Sequence, residues 1–234
     1  MAAPGALSTP ATVSFSYQQG WTQQYREHAD VELIVEGHVL PVHSQLLCQS
    51  EVLEGAIRDT QQPGEKIRIR SLFEGTTLAE VDELLSQLYS TTMGIPDSLL
   101  TTKNLIDLAM KCGFDRLATR IVETLVGDPT SKHFRLLQHE WSGMGVGVLR
   151  YWVDKCTLTR NASLETALID FLVANYKEVF GSGVLWDDIR DSLCGNGEMC
   201  GKILRRIALI PTFSTIRSNN GRHFVPEPED DDFW

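Results

Sequence analysis

The sequence predicts an α+β protein, in which a small sheet with surrounding helices is followed by an all-helical region. Apolar residues alternate over 31–42 on both sides of Glu36-Gly37, which is typical of a hairpin. The segment at 66–70 also alternates strictly and predicts a third strand. From residue 129 onward the apolar residues recur only at helical spacing, so the second part is predicted to be all helical.

The chain is predicted to begin with a flexible lead at 1–11, which contains two prolines. Residues 12–17 alternate small polar with apolar side chains, the pattern of a short half-buried strand. Residues 18–28 follow as a short helix, because Trp21 and Tyr25 are four positions apart and would share one helix face.

The hairpin is predicted from its turn and from its second strand. Gly37 accepts the positive φ that a two-residue hairpin turn requires. Pro41 has no backbone N–H to donate, so the second strand is expected at an edge of the sheet. Residues 44–58 then follow a helical pattern, and Ser50 is expected to cap a second short helix within it.

Apolar stripes predict a series of further helices, with a domain boundary near Gly127-Asp128-Pro129. The stripes lie near 78–88, 105–112, 117–125, 130–140, 146–154, 164–180, 184–193 and 197–209. The predicted organisation is therefore a mixed domain at 12–126, a helical extension at 127–211 and a disordered acidic tail at 212–234.

Composition and charge exclude several classes of function. The 234 residues are 42% apolar and 22% charged, as in an ordinary globular protein that needs no disulfide or metal to stabilise its core. The net charge is −10, with 9 basic against 16 acidic residues over 1–126 and five acids without a base over 227–234. Phosphate backbones and anionic lipids would repel such a chain, so neither nucleic acid nor membrane is expected as a partner.

The cysteines and the first residues predict an intracellular protein, cytoplasmic or nuclear. The first 25 residues carry no charge and no apolar core, unlike a secretory signal. Reduced and mostly buried thiols are expected, because the number of cysteines is odd and their spacing is wide. The cysteines are Cys48, Cys112, Cys156, Cys194 and Cys200.

The segment HADVELIVEGHVLPVHSQLLCQSEVLEGAI at 28–57 resembles the opening of a BTB/POZ domain. The matching features are an Asp-Val start, a hairpin, a His, a Leu-rich helix and a Ser before a second helix. They fall on Asp30, Val31, His43, Leu46, Leu47 and Ser50. Later segments KIRIRS, LLSQLYSTT and NLIDLAMKCGFDRLATRIVETLV extend the resemblance to about residue 126, with Leu53 where the family usually has Phe.

The resemblance implies a protein-interaction module without catalytic activity or cofactor. Residues 129–210 are similar to the BACK-like helical extension of short fungal members. Family members form homodimers or heterodimers, and some bridge a partner to a cullin-3 ubiquitin ligase. The resemblance therefore implies a dimeric scaffold, a homodimer with a further protein partner of unknown identity, or alternatively a cullin-3 substrate adaptor.

The resemblance also assigns roles to individual residues. Asp30 and His43 could in principle form a catalytic dyad or bind a metal, but they are expected to be a structural polar pair, so that Asp30→Ala would unfold the domain or block assembly. Ser50 is expected to be a further structural polar group. The leading segment packs across a two-fold axis in the family and often exchanges a strand, which buries large apolar residues. The residues expected in this dimer interface are Val13, Phe15, Tyr17, Trp21 and Tyr25.

For cullin binding, family members often carry an apolar-x-Glu motif in the loop before the penultimate helix, just ahead of an Asn. In this chain Leu100 supplies the apolar residue, but Thr102 stands where Glu is expected, ahead of Asn104. Tyr89 matches a tyrosine that contacts the cullin in known adaptors. Tyr89 and Leu100 are therefore the residues of a possible cullin contact, and the missing Glu favours the scaffold over the adaptor.

Three further patterns suggest alternative sites. The run Gly143-Met144-Gly145-Val146-Gly147 could mark a nucleotide-binding enzyme, but no lysine follows it as in a phosphate-binding loop. The histidines at 28, 38 and 43 have no structural-zinc spacing, so no metal is expected. The acidic tail, which contains Phe233-Trp234, is either a solvated segment, a linear motif, a segment that docks on a basic partner, or one that folds back on the basic cluster of Lys202, Arg205 and Arg206.

Overall fold

A computed structural model of the chain describes residues 15–61, 66–90 and 94–210. Within these ranges it contains twelve α-helices and a three-stranded mixed sheet, which confirms the predicted α+β class. The chain divides into two compact units, Met1–Leu136 and Leu137–Trp234. The sheet belongs to the first unit, and the second unit is helical wherever it is described.

The strands are β1 (Val31–Val35), β2 (His38–Val42) and β3 (Ile67–Ile69). The helices up to the division are α1 (Gln23–Glu27), α2 (Ser44–Leu47), α3 (Glu51–Thr60), α4 (Leu78–Tyr89), α5 (Leu99–Lys111), α6 (Asp115–Gly127) and α7 (Lys132–Ser142). The second unit continues with α8 (Val148–Thr159), α9 (Ala162–Ala174), α10 (Tyr176–Gly181), α11 (Gly183–Gly195) and α12 (Gly197–Ala208).

The sheet has the order β2-β1-β3, so β1 is the central strand. β1 pairs antiparallel with β2 and parallel with β3. Glu36 and Gly37 have φ of 49° and 81°, the left-handed pair that a tight hairpin turn needs. β2 lies at an edge of the sheet, which is where Pro41 predicts it.

The first unit has its core between the sheet and helices α3 to α6. Alternate residues of β1 are buried, because successive side chains of a strand point to opposite faces. The sheet contacts α3 through β3, while α4 packs on α5 and α5 packs on α6. Side chains with almost no exposed surface include Val31, Leu33, Leu40, Leu53, Val81, Leu84, Ile106 and Val122.

The strand predicted at 12–17 is wrong for the part that the structure describes. Ser16–Gln18 form a single turn of 3-10 helix, and residues 1–14 lie outside the described ranges. The turn is fixed by Asp82 on α4, whose carboxylate accepts hydrogen bonds from Ser16 N at 3.1 Å and Ser16 Oγ at 2.7 Å. The alternating pattern arises because Phe15 and Tyr17 are both buried against the first unit.

The second unit is built from α8 to α12, with α8 packed on α9 and α11, and α9 on α12. The single helix predicted at 164–180 is two helices, α9 and α10. Asn175 ends the first of them, with ψ of 23° and its side-chain Nδ2 donating to the Phe171 carbonyl at 2.9 Å. Asn competes with helical backbone hydrogen bonds in this way, so an uninterrupted apolar stripe does not guarantee one helix.

The division between the units falls within α7, ten residues after the predicted boundary at 126/127. The first turn of α7 is tied to the first unit, because Lys132 Nζ lies 2.9 Å from Asp97 Oδ1. Of the five cysteines, all free, only Cys112 and Cys156 are buried, whereas Cys48 and Cys194 are exposed. None of the helices in the described ranges is long and apolar enough to cross a bilayer.

Candidate functional site: an aromatic cluster beside the hairpin

Five rings gather at the end of the hairpin opposite its turn. We call Tyr17, Trp21, Tyr25, His43 and Tyr89 the aromatic cluster. The Trp21 ring lies 5.0 Å from Tyr89, 5.1 Å from Tyr25 and 5.4 Å from Tyr17, centroid to centroid. These three contacts are edge-to-face, the arrangement that aromatic quadrupoles prefer.

Trp21 reaches the cluster from a turn and not from a helix. The predicted helix at 18–28 begins only at Gln23, where Thr22 caps it by accepting from Tyr25 N at 3.2 Å. Gly20, with φ of 83°, turns the chain just before Trp21. The predicted proximity of Trp21 and Tyr25 is therefore achieved, although the two residues do not share a helix face.

The polar atoms at the centre of the cluster satisfy one another. The Tyr89 hydroxyl lies 2.9 Å from both His43 N and His43 Nδ1, and His43 Nε2 lies 3.0 Å from the Tyr25 carbonyl. Because that carbonyl can only accept, the network assigns the ring proton to Nε2 and lets Tyr89 donate to Nδ1. Neither ring nitrogen is left to bind a metal or to act as a base.

Tyr17 ties the cluster to the edge strand. Its hydroxyl donates to the Pro41 carbonyl at 3.0 Å and accepts from Gln18 Nε2 at 3.0 Å. Burial raises the pKa of both Tyr17 and Tyr89 well above the ordinary value, so both remain neutral hydrogen-bonding groups near pH 7.

The structure does not join Asp30 to His43 by a hydrogen bond. Asp30 accepts from Ser44 N at 2.7 Å and from Ser44 Oγ at 2.5 Å, at the first turn of α2. Desolvation opposes ionisation of this carboxyl, but the hydrogen bonds from Ser44 outweigh it and lower the pKa of Asp30. Asp30 therefore fixes the hairpin to the start of α2 as an exposed carboxylate.

We expect Asp30→Asn to lower the free energy of unfolding by about 0.5–1 kcal/mol at pH 7, a helix-cap effect reduced by solvent screening. This is less than the unfolding that the sequence predicts for Asp30→Ala, because the carboxylate is exposed. Since the folded-state pKa is lowered, the stabilisation is complete above about pH 4 and disappears as the pH falls through that pKa.

The measurement is the melting temperature of both proteins between neutral and strongly acidic pH. The difference between them should shrink toward zero in acid. Asp59→Asn, at an exposed position of α3, is the matched control and should show little difference at any pH. A difference for Asp30→Asn that does not change with pH would contradict the assigned role.

The five residues predicted for a dimer interface differ in accessibility. Phe15 and Tyr17 are buried in their own chain, with 8% and 4% of their surface exposed. Trp21 is half-buried and Tyr25 is 45% exposed, so these two are the members that a second molecule could contact. Val13 lies outside the described residues.

The stretch predicted as a cullin-contacting loop is helical. Ser98 caps α5, and Leu100 and Thr102 lie in its first turns. Leu100 is 67% exposed, but Thr102 is completely buried and its hydroxyl donates to the Ser98 carbonyl at 3.0 Å. The position at which the family motif carries Glu therefore points into this protein, and Asn104 beyond it donates to Glu80 Oε1 at 2.7 Å.

Ser50 occupies a fully buried position between α3 and α5. It caps α3 by accepting from Leu53 N at 3.1 Å, as the sequence predicts, and its hydroxyl donates to the Cys112 carbonyl. Burial raises the pKa of the Cys112 thiol to about 11. Both contacts are internal, so the surroundings of Ser50 hold two helices together and present no reactive group to solvent.

The glycine run lacks the surroundings of a phosphate site. It follows helix α7 and not a strand, and Gly147 N at the start of α8 donates to Asp188 Oδ2 at 2.6 Å. A carboxylate therefore occupies the helix N-terminus where a phosphate would bind. Among the described residues, no three His, Cys, Asp or Glu side chains lie close enough together to hold a metal ion.

Comparison with known proteins assigns no family. The chain matches no family model, and it matches no curated protein. The structure itself defines an α+β protein with an aromatic cluster on its first unit. Sequence reasoning missed Asp82, which fixes the leading segment, because nothing in its local pattern distinguishes it from other exposed acids on a helix.

Proposed function

We propose that this chain is a protein-interaction module of the BTB/POZ kind that acts as a homodimeric scaffold, without catalysis. The observation that carries the proposal is the partly exposed aromatic cluster beside the hairpin. Aromatic side chains are enriched in protein interfaces, where a few of them supply most of the binding energy. The cluster is also rigid, because its hydroxyl and imidazole groups are held by internal hydrogen bonds.

The order of elements supports the proposal as well. A hairpin, two short helices, a third strand parallel to the first and then three helices follow one another in the first unit. This is the order that the resemblance over 28–126 implies. The chemistry of the cluster supports binding over catalysis, since His43 has both ring nitrogens engaged.

The test is the mass of the full-length protein by light scattering. We expect twice the chain mass of 26.2 kDa, and dissociation on Trp21→Asp or Tyr25→Asp. A charge placed in the centre of an interface should weaken self-association at least about 30-fold, as for a hot-spot residue. Tyr25→Asp is the cleaner variant because Tyr25 is 45% exposed and its loss leaves the core intact.

Val39→Asp is the matched control. Val39 is 48% exposed but lies next to the hairpin turn, away from the cluster. It should leave the mass unchanged, and melting curves should show that every variant is folded. A monomeric parent protein, or a dimer that Tyr25→Asp leaves intact, would overturn the proposal.

The same samples discriminate the scaffold from a cullin-3 adaptor. Burial of Thr102 and the internal hydrogen bonds of Tyr89 favour the scaffold. We therefore expect the dimer not to bind the N-terminal domain of cullin-3. Binding that is lost on Leu100→Asp, a change at a 67% exposed position, would favour the adaptor.

A further inference from the structure

The second unit carries an apolar groove to which the proposed dimer interface assigns no role. Helices α10, α11 and α12 enclose a cavity of about 490 Å³, within the range of about 300–1,000 Å³ that is typical of ligand sites. Its lining includes Tyr176, Phe180, Trp186, Cys200, Leu204 and Ile207. Leu204 is 58% exposed within it, so the groove leaves apolar surface uncovered in the described chain.

We infer that this groove, the α10–α12 groove, binds the C-terminal segment of the same chain, with Phe233 and Trp234 as its anchors. Aromatic side chains bury large apolar areas and fit a wall made of other rings. Trp186 and Phe180 already pack at 5.3 Å between ring centroids on that wall. The contact lies within one molecule.

The course of the chain supports this occupant. Ile210 is the last described residue and lines a shallow cavity together with Tyr176, which also lines the groove. The chain therefore leaves the described structure beside the mouth of the groove. Residues 211–232 separate Ile210 from Phe233, and an extended chain of that length could reach roughly 70 Å, so length does not limit the contact.

Charge complementarity supports it too. The anchors follow five acidic residues between 227 and 232. Lys177 lies next to the groove with its Nζ 5.9 Å from the centre of the Tyr176 ring, and Arg205 follows Leu204 on α12. Neither cation forms an ion pair with any residue of the described ranges, so both could receive the acidic segment.

Because the C-terminal segment belongs to the same chain as the groove, even a weak contact is sufficient to keep the groove occupied. A short linker gives an effective concentration of about 1 mM. If the anchors as a separate peptide bind with a Kd of about 100 µM, the groove is occupied about ten times as often as it is empty. The expected signature is therefore an approximately tenfold protection of groups that line the groove.

Cys200 reports on the groove directly, because it lines the cavity and is neither buried nor fully exposed. We would alkylate the full-length protein with iodoacetamide and follow each cysteine by mass spectrometry. In the variant F233A/W234A, Cys200 should react about tenfold faster, while exposed Cys48 reacts at an unchanged rate. The variant N219A/N220A is the control for two substitutions in the same segment and should react like the parent.

A second measurement separates loss of contact from any other effect of the substitutions. A peptide of residues 224–234, added to F233A/W234A, should restore the protection of Cys200. Leu204→Glu should prevent this rescue, whereas Leu158→Glu, at a similarly exposed position of α8, should not. Protection of the parent should not change on dilution, because the contact is intramolecular.

Three results would overturn the inference. The first is an equal rate for Cys200 in the parent and in F233A/W234A. The second is protection that disappears on dilution, which would assign the groove to a second copy. The third is rescue by the peptide that Leu204→Glu leaves intact, since the segment would then bind elsewhere.

Discussion

Trp152→Ala is expected to lower the free energy of unfolding by about 3–5 kcal/mol, the range for deleting a large aromatic side chain from a core. Trp152 has no exposed surface and lies on α8, which packs against both α9 and α11. Its indole Nε1 donates to Glu140 Oε2 at 2.9 Å, so the substitution also removes a hydrogen bond to a carboxylate. Because a typical domain has a free energy of unfolding of about 5–15 kcal/mol, this loss removes a large share of the stability of the protein.

Denaturant unfolding measures this loss in free energy of unfolding, and two further variants separate its causes. Trp152→Phe keeps most of the volume and should cost about 1–2 kcal/mol through the lost hydrogen bond and a small cavity. Trp186→Ala removes a half-buried indole from the same unit and should cost much less than Trp152→Ala. Equal losses for Trp152→Ala and Trp186→Ala would contradict the packing described for α8.

Gly113→Ala is expected to lower the free energy of unfolding by about 3 kcal/mol. Gly113 has φ of 74°, where a Cβ atom costs about 1–2 kcal/mol. A Cβ at this position would also lie 2.9 Å from Ser50 Oγ and from Val52 Cγ2. Ser50 is fully buried and holds two hydrogen bonds, so moving its hydroxyl sacrifices the cap of α3 or the partner of the Cys112 carbonyl.

Gly75→Ala separates the two causes. Gly75 has nearly the same φ, 76°, but no atom lies within 4 Å of its would-be Cβ. Its substitution should cost only the backbone strain of about 1–2 kcal/mol. If thermal or denaturant unfolding gave equal losses for the two variants, the close approach of α3 and α5 at Ser50 would not matter to stability.

The elements that the sequence predicts best are those with a local cause. Gly37 permits the turn of the hairpin, and Ser50 caps α3, because each acts through its own neighbours in the chain. The elements predicted wrongly have a distant cause. The strand expected over 12–17 is a 3-10 turn where it is described, since Asp82, 66 residues away from Ser16, binds its backbone. No local pattern carries that information.

The contacts within the candidate site also depend on residues that are distant in the sequence. The sequence singles out Trp21, Tyr25, His43 and Tyr89 on separate grounds, but only the folded chain brings the four rings together. It also pairs Asp30 with His43, whereas the structure pairs Asp30 with Ser44. Periodicity describes which face of a helix is apolar, and cannot say which of two neighbouring polar groups reaches a given partner.

The central position of β1 has a consequence for how the protein is made. β1 and β2 are joined by a two-residue turn, and such hairpins close in about 1–10 µs. The other side of β1 pairs with β3, whose last residue, Ile69, follows Val35 by 34 positions. At about 5–20 residues per second, synthesis needs roughly 2–7 s to cover that interval. During those seconds the side of β1 that will pair with β3 remains unpaired. The nascent chain should therefore be a substrate for chaperones that bind apolar strand edges.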